Sequence, residues 1–337
     1  MKNGFEEPAG ASEASVSSPA SGNIHVSESI SSLLDELIDY AGLFPPAGLS
    51  MQRAVENYHS YFEGEYAWAL GRFVVPVSGL SEFQQAQDAL EVGRPWRLSA
   101  LPGADFEADL QAVQDFNLQS EVWATIDAIE AKVTGEHDVE RKARLVPRGV
   151  AAYFEVPASA SLDLLRSIRD TGARAKIRTG GVTQDVFPTT ESLAQFLSNC
   201  AVTRTPFKAT AGLHHPVRCL KPLTYEPDSP SGIMHGFLNV FLAAVLAYSP
   251  ESLDGPDEMP LGAIQTILNN SDPARFHFTD EAVHFDCEYV SGDGQQHRIE
   301  GALSSDNIRT TRREFAVSFG SCSFEEPLQD LRSFKFL

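Results

Sequence analysis

The sequence predicts an α/β fold, a (β/α)8 barrel of the TIM type, on three observations. Between residues 72 and 212 short apolar runs alternate with helical periodicity, and the loops between them are short. Two of the later runs, Ala175-Lys176-Ile177-Arg178-Thr179-Gly180-Gly181 and Phe207-Lys208-Ala209-Thr210-Ala211-Gly212, each carry a lysine and then break at glycine, as a barrel strand does where its loop begins. A last alternating run, 314–319, sets Phe315, Val317 and Phe319 on one face and supplies an eighth strand.

The chain of 337 residues is 42% hydrophobic and 21% charged, enough to bury the core of one large domain. Its 46 acidic residues against 26 basic ones, a net charge of -20, argue against nucleic acid as a partner, because phosphate backbones select clustered Lys and Arg. Cys200, Cys219, Cys287 and Cys322 are scattered with no C-x-x-C spacing. Neither a disulfide framework nor a zinc knuckle is predicted, and a reducing cytoplasm is the expected compartment. Residues 1–23 are rich in Ser, Ala, Glu and Gly with no apolar core of a signal peptide, so 1–27 is expected to be a disordered tail. The most apolar run, 237–248, is shorter than the roughly 20 residues a membrane helix needs, and no span is expected.

Taken in order, Ile30, Leu33, Leu34, Leu37 and Ile38 recur at spacings of three and four and predict a first helix. Residues 38–44 are counted as a first strand or strand-like lead-in, and Pro45-Pro46 prevents any helix from continuing there. Ser50 caps a helix to about residue 64, with Met51, Ala54, Val55 and Tyr58 on one side. Strands are then predicted at 72–77, 96–101, 121–126 and 150–156, separated by helices at 81–92, 105–116 and 139–145. A helix at 161–171 leads to the Lys176 strand, and one at 190–201 to the Lys208 strand. No G-x-G-x-x-G follows 72–77, which weighs against an open dinucleotide-binding sheet.

Between strands seven and eight runs a long connection, 217–313. It holds an apolar helix at 234–248, a second helix at 261–269, and alternating segments at 275–278, 282–289 and 297–301 that predict a small antiparallel sheet. Such an insertion into a single barrel domain, 28–337, is expected to serve as a lid, a covering subdomain or a contact in a homo-oligomer.

Side chains alternate faces along a strand, so Lys176 and Arg178 share one face, Lys208 and Thr210 share another, and Tyr153 pairs with Glu155. Together they predict a polar barrel interior near its carboxyl end. One ammonium close to another in a desolvated site loses charge more easily, and a neutral amine attacks a carbonyl. The expected chemistry is therefore a lysine Schiff base, with Lys176 as nucleophile, Lys208 as its electrostatic modulator, and Glu155 or Asp127 as proton shuttle. The substrate is a small carbonyl compound with an anionic group, and no cofactor is expected. Arg178 would bind the anion through its guanidinium fork. Thr210, His214 and His215 complete the expected binding set, and Gly320, Ser321 and Ser323 precede a helix at 325–334 whose amides could face an anion.

The order Lys-Ile-Arg-Thr-Gly, then Phe-Lys-Ala-Thr-Ala-Gly, then Ser318-Phe319-Gly320-Ser321-Cys322-Ser323 resembles the last three strands of the deoxyribose-phosphate aldolase family, class I aldolases built on a barrel. The resemblance implies that Lys176 is the Schiff-base lysine, that Lys208 is the second lysine, and that Gly320, Ser321 and Ser323 hold a substrate phosphate. Ala211 stands where the family has a glycine, Leu213-His214-His215 replaces its polar loop, and Cys322 stands at a serine. The family's proton-relay aspartate aligns with Trp123, so Asp127, Glu130 or Glu155 is expected to substitute.

Two other readings carry different chemistry. His214 and His215 would ligate a metal in a metal-dependent lyase or hydrolase, with Glu155, Asp127 or His235 completing the site. A barrel without turnover would instead use 217–313 as a binding or scaffold surface.

Overall fold

The computed structural model describes residues 26–90, 93, 95–120, 122–249, 261–290 and 294–337. Residues 1–25 of the expected tail lie outside them. The elements run α1 (Glu28–Leu34), β1 (Ile38–Tyr40), α2 (Met51–Phe62), β2 (Leu70–Pro76), α3 (Leu80–Gln87), β3 (Trp96–Leu101), α4 (Phe106–Ser120) and β4 (Ala124–Lys132). There follow α5 (Glu136–Leu145), β5 (Ala151–Val156), α6 (Leu162–Asp170), β6 (Arg174–Arg178), α7 (Thr190–Thr203) and β7 (Phe207–Thr210). The long connection holds β8 (Cys219–Pro222), β9 (Ser231–Met234), α8 (Phe237–Tyr248), α9 (Leu261–Asn269), β10 (Phe276–Phe278), β11 (Ala282–Val290), β12 (Gln296–Ser304) and α10 (Ser305–Glu314). The chain ends with β13 (Ala316–Ser321) and α11 (Glu325–Ser333).

Eight strands close a parallel barrel in the order β1-β13-β7-β6-β5-β4-β3-β2, so the predicted (β/α)8 fold is the observed one. Side-chain caps start several layer helices where the sequence places Ser or Thr. Ser50 accepts from the Arg53 amide, Ser161 from Leu164 and Thr189 from Ser192, each satisfying an otherwise orphan N–H.

Three departures from expectation have a physical reason. The first helix stops at Leu34, and Glu36 turns the chain with φ 46°. Leu37 and Ile38, which continue the helical spacing, are buried as the start of the barrel instead. The fourth strand is Ala124–Lys132 rather than 121–126. Its charged residues at 127 and 130 look like a polar loop, but a barrel interior built of ion pairs accepts them. The helix α10 was not expected; Ser304 caps it through the Asn307 amide, and it packs on α1.

The connection is not one excursion. Its apolar helix α8 belongs to the barrel's own helical layer, since every side chain from Phe237 to Leu246 is buried. The Phe237 ring stacks on Phe319 of β13 at 5.2 Å, and Phe241 stacks on Phe207 of β7 at 6.4 Å. A helix apolar on all sides must be covered on all sides, and here strands, α7, α9 and α10 cover it. The expected antiparallel sheet is present as β10-β11-β12, and a separate hairpin joins β8 to β9.

Candidate active site

Strand parity brings the polar side chains together. The register aligns Lys132, Glu155, Lys176 and Lys208 across β4 to β7, with Glu130, Tyr153 and Arg174 one level earlier. Glu130 pairs with both lysines: its Oε2 lies 3.0 Å from Lys176 Nζ, and its Oε1 accepts from Lys208 Nζ at 2.6 Å. Ser99 Oγ donates to the same Oε1 at 2.7 Å. Lys176 also meets Glu155 Oε2 at 3.0 Å.

Lys208 is fully enclosed. Its ammonium donates to Asp39 Oδ2 at 2.6 Å and sits 5.2 Å from the centre of the Tyr153 ring. Asp39, at 0% exposure, also accepts from Ser318 Oγ at 2.8 Å and from the Arg72 amide at 2.7 Å. Burial alone would lower the Lys208 pKa, but the charges of Asp39 and Glu130 outweigh it and hold the ammonium above its ordinary range. Burial likewise works against an ionised Glu130, and the ammoniums of Lys208 and Lys176 hold it well below the usual carboxylate range. The expected direct pressure of one ammonium on the other is therefore replaced by a shared carboxylate.

Lys176 differs from Lys208 in access. It is 6% exposed and lines a cavity of about 230 Å³ at the carboxyl end of the barrel, with Glu130 beside it. Arg178, Thr210, His214 and Gly320 also line this cavity, and Phe44 with Pro45 and Pro46 forms an apolar wall. The loops behind the two lysines are glycine-bound for a steric reason. A Cβ on Gly180 would lie 2.8 Å from Gly212 Cα, while Thr179 Oγ1 ties the same loops together by donating to the Ala211 carbonyl at 2.6 Å. Ala211 itself holds φ 61°, in the left-handed region that favours glycine.

The remaining predicted residues fall in different places. Asp127 is not brought to this mouth. The β3–β4 register slips between Leu98/Ile126 and Ser99/Ala128, which leaves Asp127 as the extra residue and turns it toward Arg72 and Arg97. Those arginines line a different cavity, at the amino end of the barrel. Burial opposes the Asp127 charge, but its hydrogen bonds with Arg72 and the charges of both arginines keep its pKa below the ordinary value. The carboxylates beside Lys176 are Glu130, three residues on from Asp127, and Glu155.

His214 and His215 point to separate partners. His214 Nδ1 lies 3.8 Å from Cys322 Sγ and 3.7 Å from Glu326 Oε2, and Tyr225 OH donates to the same Glu326 oxygen at 2.9 Å. His215 Nδ1 is 2.7 Å from Asp330 Oδ2 on α11. Burial, reinforced by His215, pushes His214 down to about 4, so its imidazole is neutral at pH 7. Burial pushes the Cys322 thiol up to about 11. His235 is buried with its Nε2 2.8 Å from the Pro188 carbonyl, away from both. Among the described residues no group of three or more His, Cys, Asp or Glu side chains is arranged to hold a metal ion.

The turn from Gly320 to Ser323 largely satisfies itself. Ser321 Oγ donates to the Ser323 carbonyl at 2.6 Å, and Ser323 Oγ accepts from the Glu326 amide at 3.2 Å at the start of α11. Gly320 and Cys322 face the cavity, while the two serine hydroxyls are engaged in the turn.

A closed parallel barrel with a lysine–carboxylate chain behind its carboxyl-end cavity is the class of protein that fold and site define. No protein-family model matches the chain, and no curated protein matches it. Among solved structures, the chain is similar to the tetrameric deoxyribose phosphate aldolase from Aeropyrum pernix, at 14% identity and a TM-score of 0.37, over 55% of this chain and 80% of that one. So distant a likeness adds nothing to the barrel that the closed sheet already establishes.

Proposed function

We propose that the chain is an aldolase-like lyase that acts on a small anionic carbonyl compound through an imine on Lys176. The observation that carries this is the position of Lys176: it is the amine at the cavity, held between two carboxylates, while Lys208 is sealed behind Glu130. For attack the ammonium must lose a proton. Glu155 is the suited acceptor, because it faces Lys176 and is partly exposed, whereas Glu130 is kept ionised by Lys208 as well. The role assigned to Lys208 follows: it offsets the Glu130 charge that would otherwise hold the Lys176 ammonium in place.

In this reading the neutral Lys176 nitrogen adds to the carbonyl carbon, and the carbonyl oxygen takes one proton from the Glu155 carboxylic acid and one from the nitrogen itself and leaves as water. The resulting iminium takes up the electron pair released when the neighbouring carbon–carbon bond breaks, as the substrate's β-hydroxyl gives its proton to a carboxylate. Protonation of the enamine carbon and hydrolysis restore the amine. Arg178 at the rim would hold the anionic end by parallel N–H donation, with Thr210 beside it.

The test is reduction with borohydride in the presence of small aldehydes and ketones bearing carboxylate or phosphate groups, followed by peptide mass mapping. An adduct on Lys176, absent from Lys176→Met, is the expected outcome. A well-folded protein that forms no adduct, or forms one only on exposed lysines, overturns the proposal.

A further inference from the structure

We propose that the cavity at the amino end of the barrel, opposite the lysine site, binds a phosphorylated small molecule. This cavity measures about 720 Å³ and six arginines line it, in a chain whose net charge is -20. Three of the six are answered by carboxylates: Arg72 and Arg97 by Asp127, with Arg97 also on Glu36, and Arg309 by Glu28 and Asp306. The other three, Arg174, Arg312 and Arg313, have no carboxylate partner among the described residues.

The unanswered charge is partly buried, where it costs most. Arg312 is 7% exposed, and its donors go to backbone carbonyls alone: Nε to Leu33, Nη2 to Asp35, and Nη1 to Ala316 and Val317. These bonds fix the guanidinium at the cavity wall without neutralising it. Arg174 donates from Nη1 to the phenol of Tyr153 at 2.7 Å, a neutral partner, which leaves most of its fork available. Arg313 is exposed at the rim with its donors unengaged among the described residues. Against these three cations stands Asp35, the one lining carboxylate without an ion pair among the described residues.

Counted together, six arginines stand against five carboxylates, Asp127, Glu36, Glu28, Asp306 and Asp35. The excess positive charge lies with the arginines that have no carboxylate partner among the described residues, where an anion would offset it. Arginines approaching one space from β6 and from α10 match a tetrahedral phosphate, which accepts hydrogen bonds from several directions, better than a planar carboxylate. The volume exceeds what an inorganic phosphate fills and leaves room for an organic remainder. The site lies apart from Lys176, so it does not depend on the proposed imine chemistry.

Calorimetric titration of the full chain with inorganic pyrophosphate, at about 0.15 M salt, tests this. Wild-type protein is expected to bind, and Arg174→Gln/Arg313→Gln to bind about tenfold more weakly or worse, with the melting temperature confirming that the variant is folded. Arg313→Gln alone, on an exposed side chain, is expected to weaken binding in the same direction. Arg53→Gln, on an exposed side chain of α2 that lines neither cavity, should leave pyrophosphate affinity unchanged. No binding by wild type, equal binding of citrate, or loss of affinity in Arg53→Gln but not in the double variant overturns the proposal. Failure here leaves the borohydride adduct on Lys176 unaffected, and failure of that adduct leaves this titration unaffected.

Discussion

The Glu130 carboxylate lies 2.6 Å from the Lys208 ammonium and spends its other oxygen on Lys176, so one acid residue joins two buried bases inside the barrel. Taking three charges out of water is costly, and the arrangement holds only while each charge has its partners. Glu130→Gln is expected to destabilise the fold by about 3–5 kcal/mol, read as a lower urea midpoint at unchanged slope. Lys208→Met added to Glu130→Leu should recover part of the loss that Glu130→Leu causes alone, because the fully buried Lys208 ammonium no longer faces an apolar group, while Lys176 keeps Glu155 as its partner.

Stability on the acid side should respond to His214. Its folded pKa, about 4, lies below the unfolded value of about 6.5, so the unfolded chain binds more protons between those limits. The stabilisation is complete above about pH 6.5 and is lost as pH falls toward 4, by on the order of 3 kcal/mol. His214→Asn should flatten the fall in unfolding free energy over that window. Glu130, whose pKa is depressed, adds a further loss at lower pH, below the ordinary carboxylate range.

Asp127 and Lys176 should separate cleanly by mutation. Asp127→Asn removes the charge shared by Arg72 and Arg97, and about 1–3 kcal/mol of stability is expected to go with it. Borohydride trapping on Lys176 should survive, since Asp127 faces the other end of the barrel. A variant that stays folded and loses the adduct would contradict that placement.

The helix α8 offers a test of packing. Phe237→Ala deletes a ring that is 0% exposed and stacked on Phe319, and is expected to cost about 3–5 kcal/mol. A detachable lid helix would lose far less, so thermal and urea unfolding of this variant distinguish the two cases.

How much of this was legible in the sequence depended on whether local pattern and tertiary context agreed. Strands such as Trp96–Leu101 and helices such as Leu261–Asn269 matched their expected limits because pattern and punctuation coincide there. The fourth strand did not, because Asp127 and Glu130 are polar for the sake of a polar barrel interior, which hydrophobic periodicity reads as a loop. The same polar pattern hides Glu130, which sits inside that strand three residues beyond Asp127. The lone sequence signal that could have ranked Glu130 higher is the apolar flanks of Ala128-Ile129-Glu130-Ala131, which read as a buried strand with an acid inside it.

By itself the sequence determined the repeat of strands and helices, the strands that carry Lys176 and Lys208, and the parity that sends both lysines inward. These are local properties, set by spacing and by the two-residue period of a strand. Only the tertiary structure decided that Glu130 stands between the lysines, that Asp127 turns away, and that arginines from β2, β3, β6 and α10 converge at the far end. Each of those outcomes hangs on a register slip or on barrel closure, which join residues far apart in the chain and leave no mark on any one stretch of it.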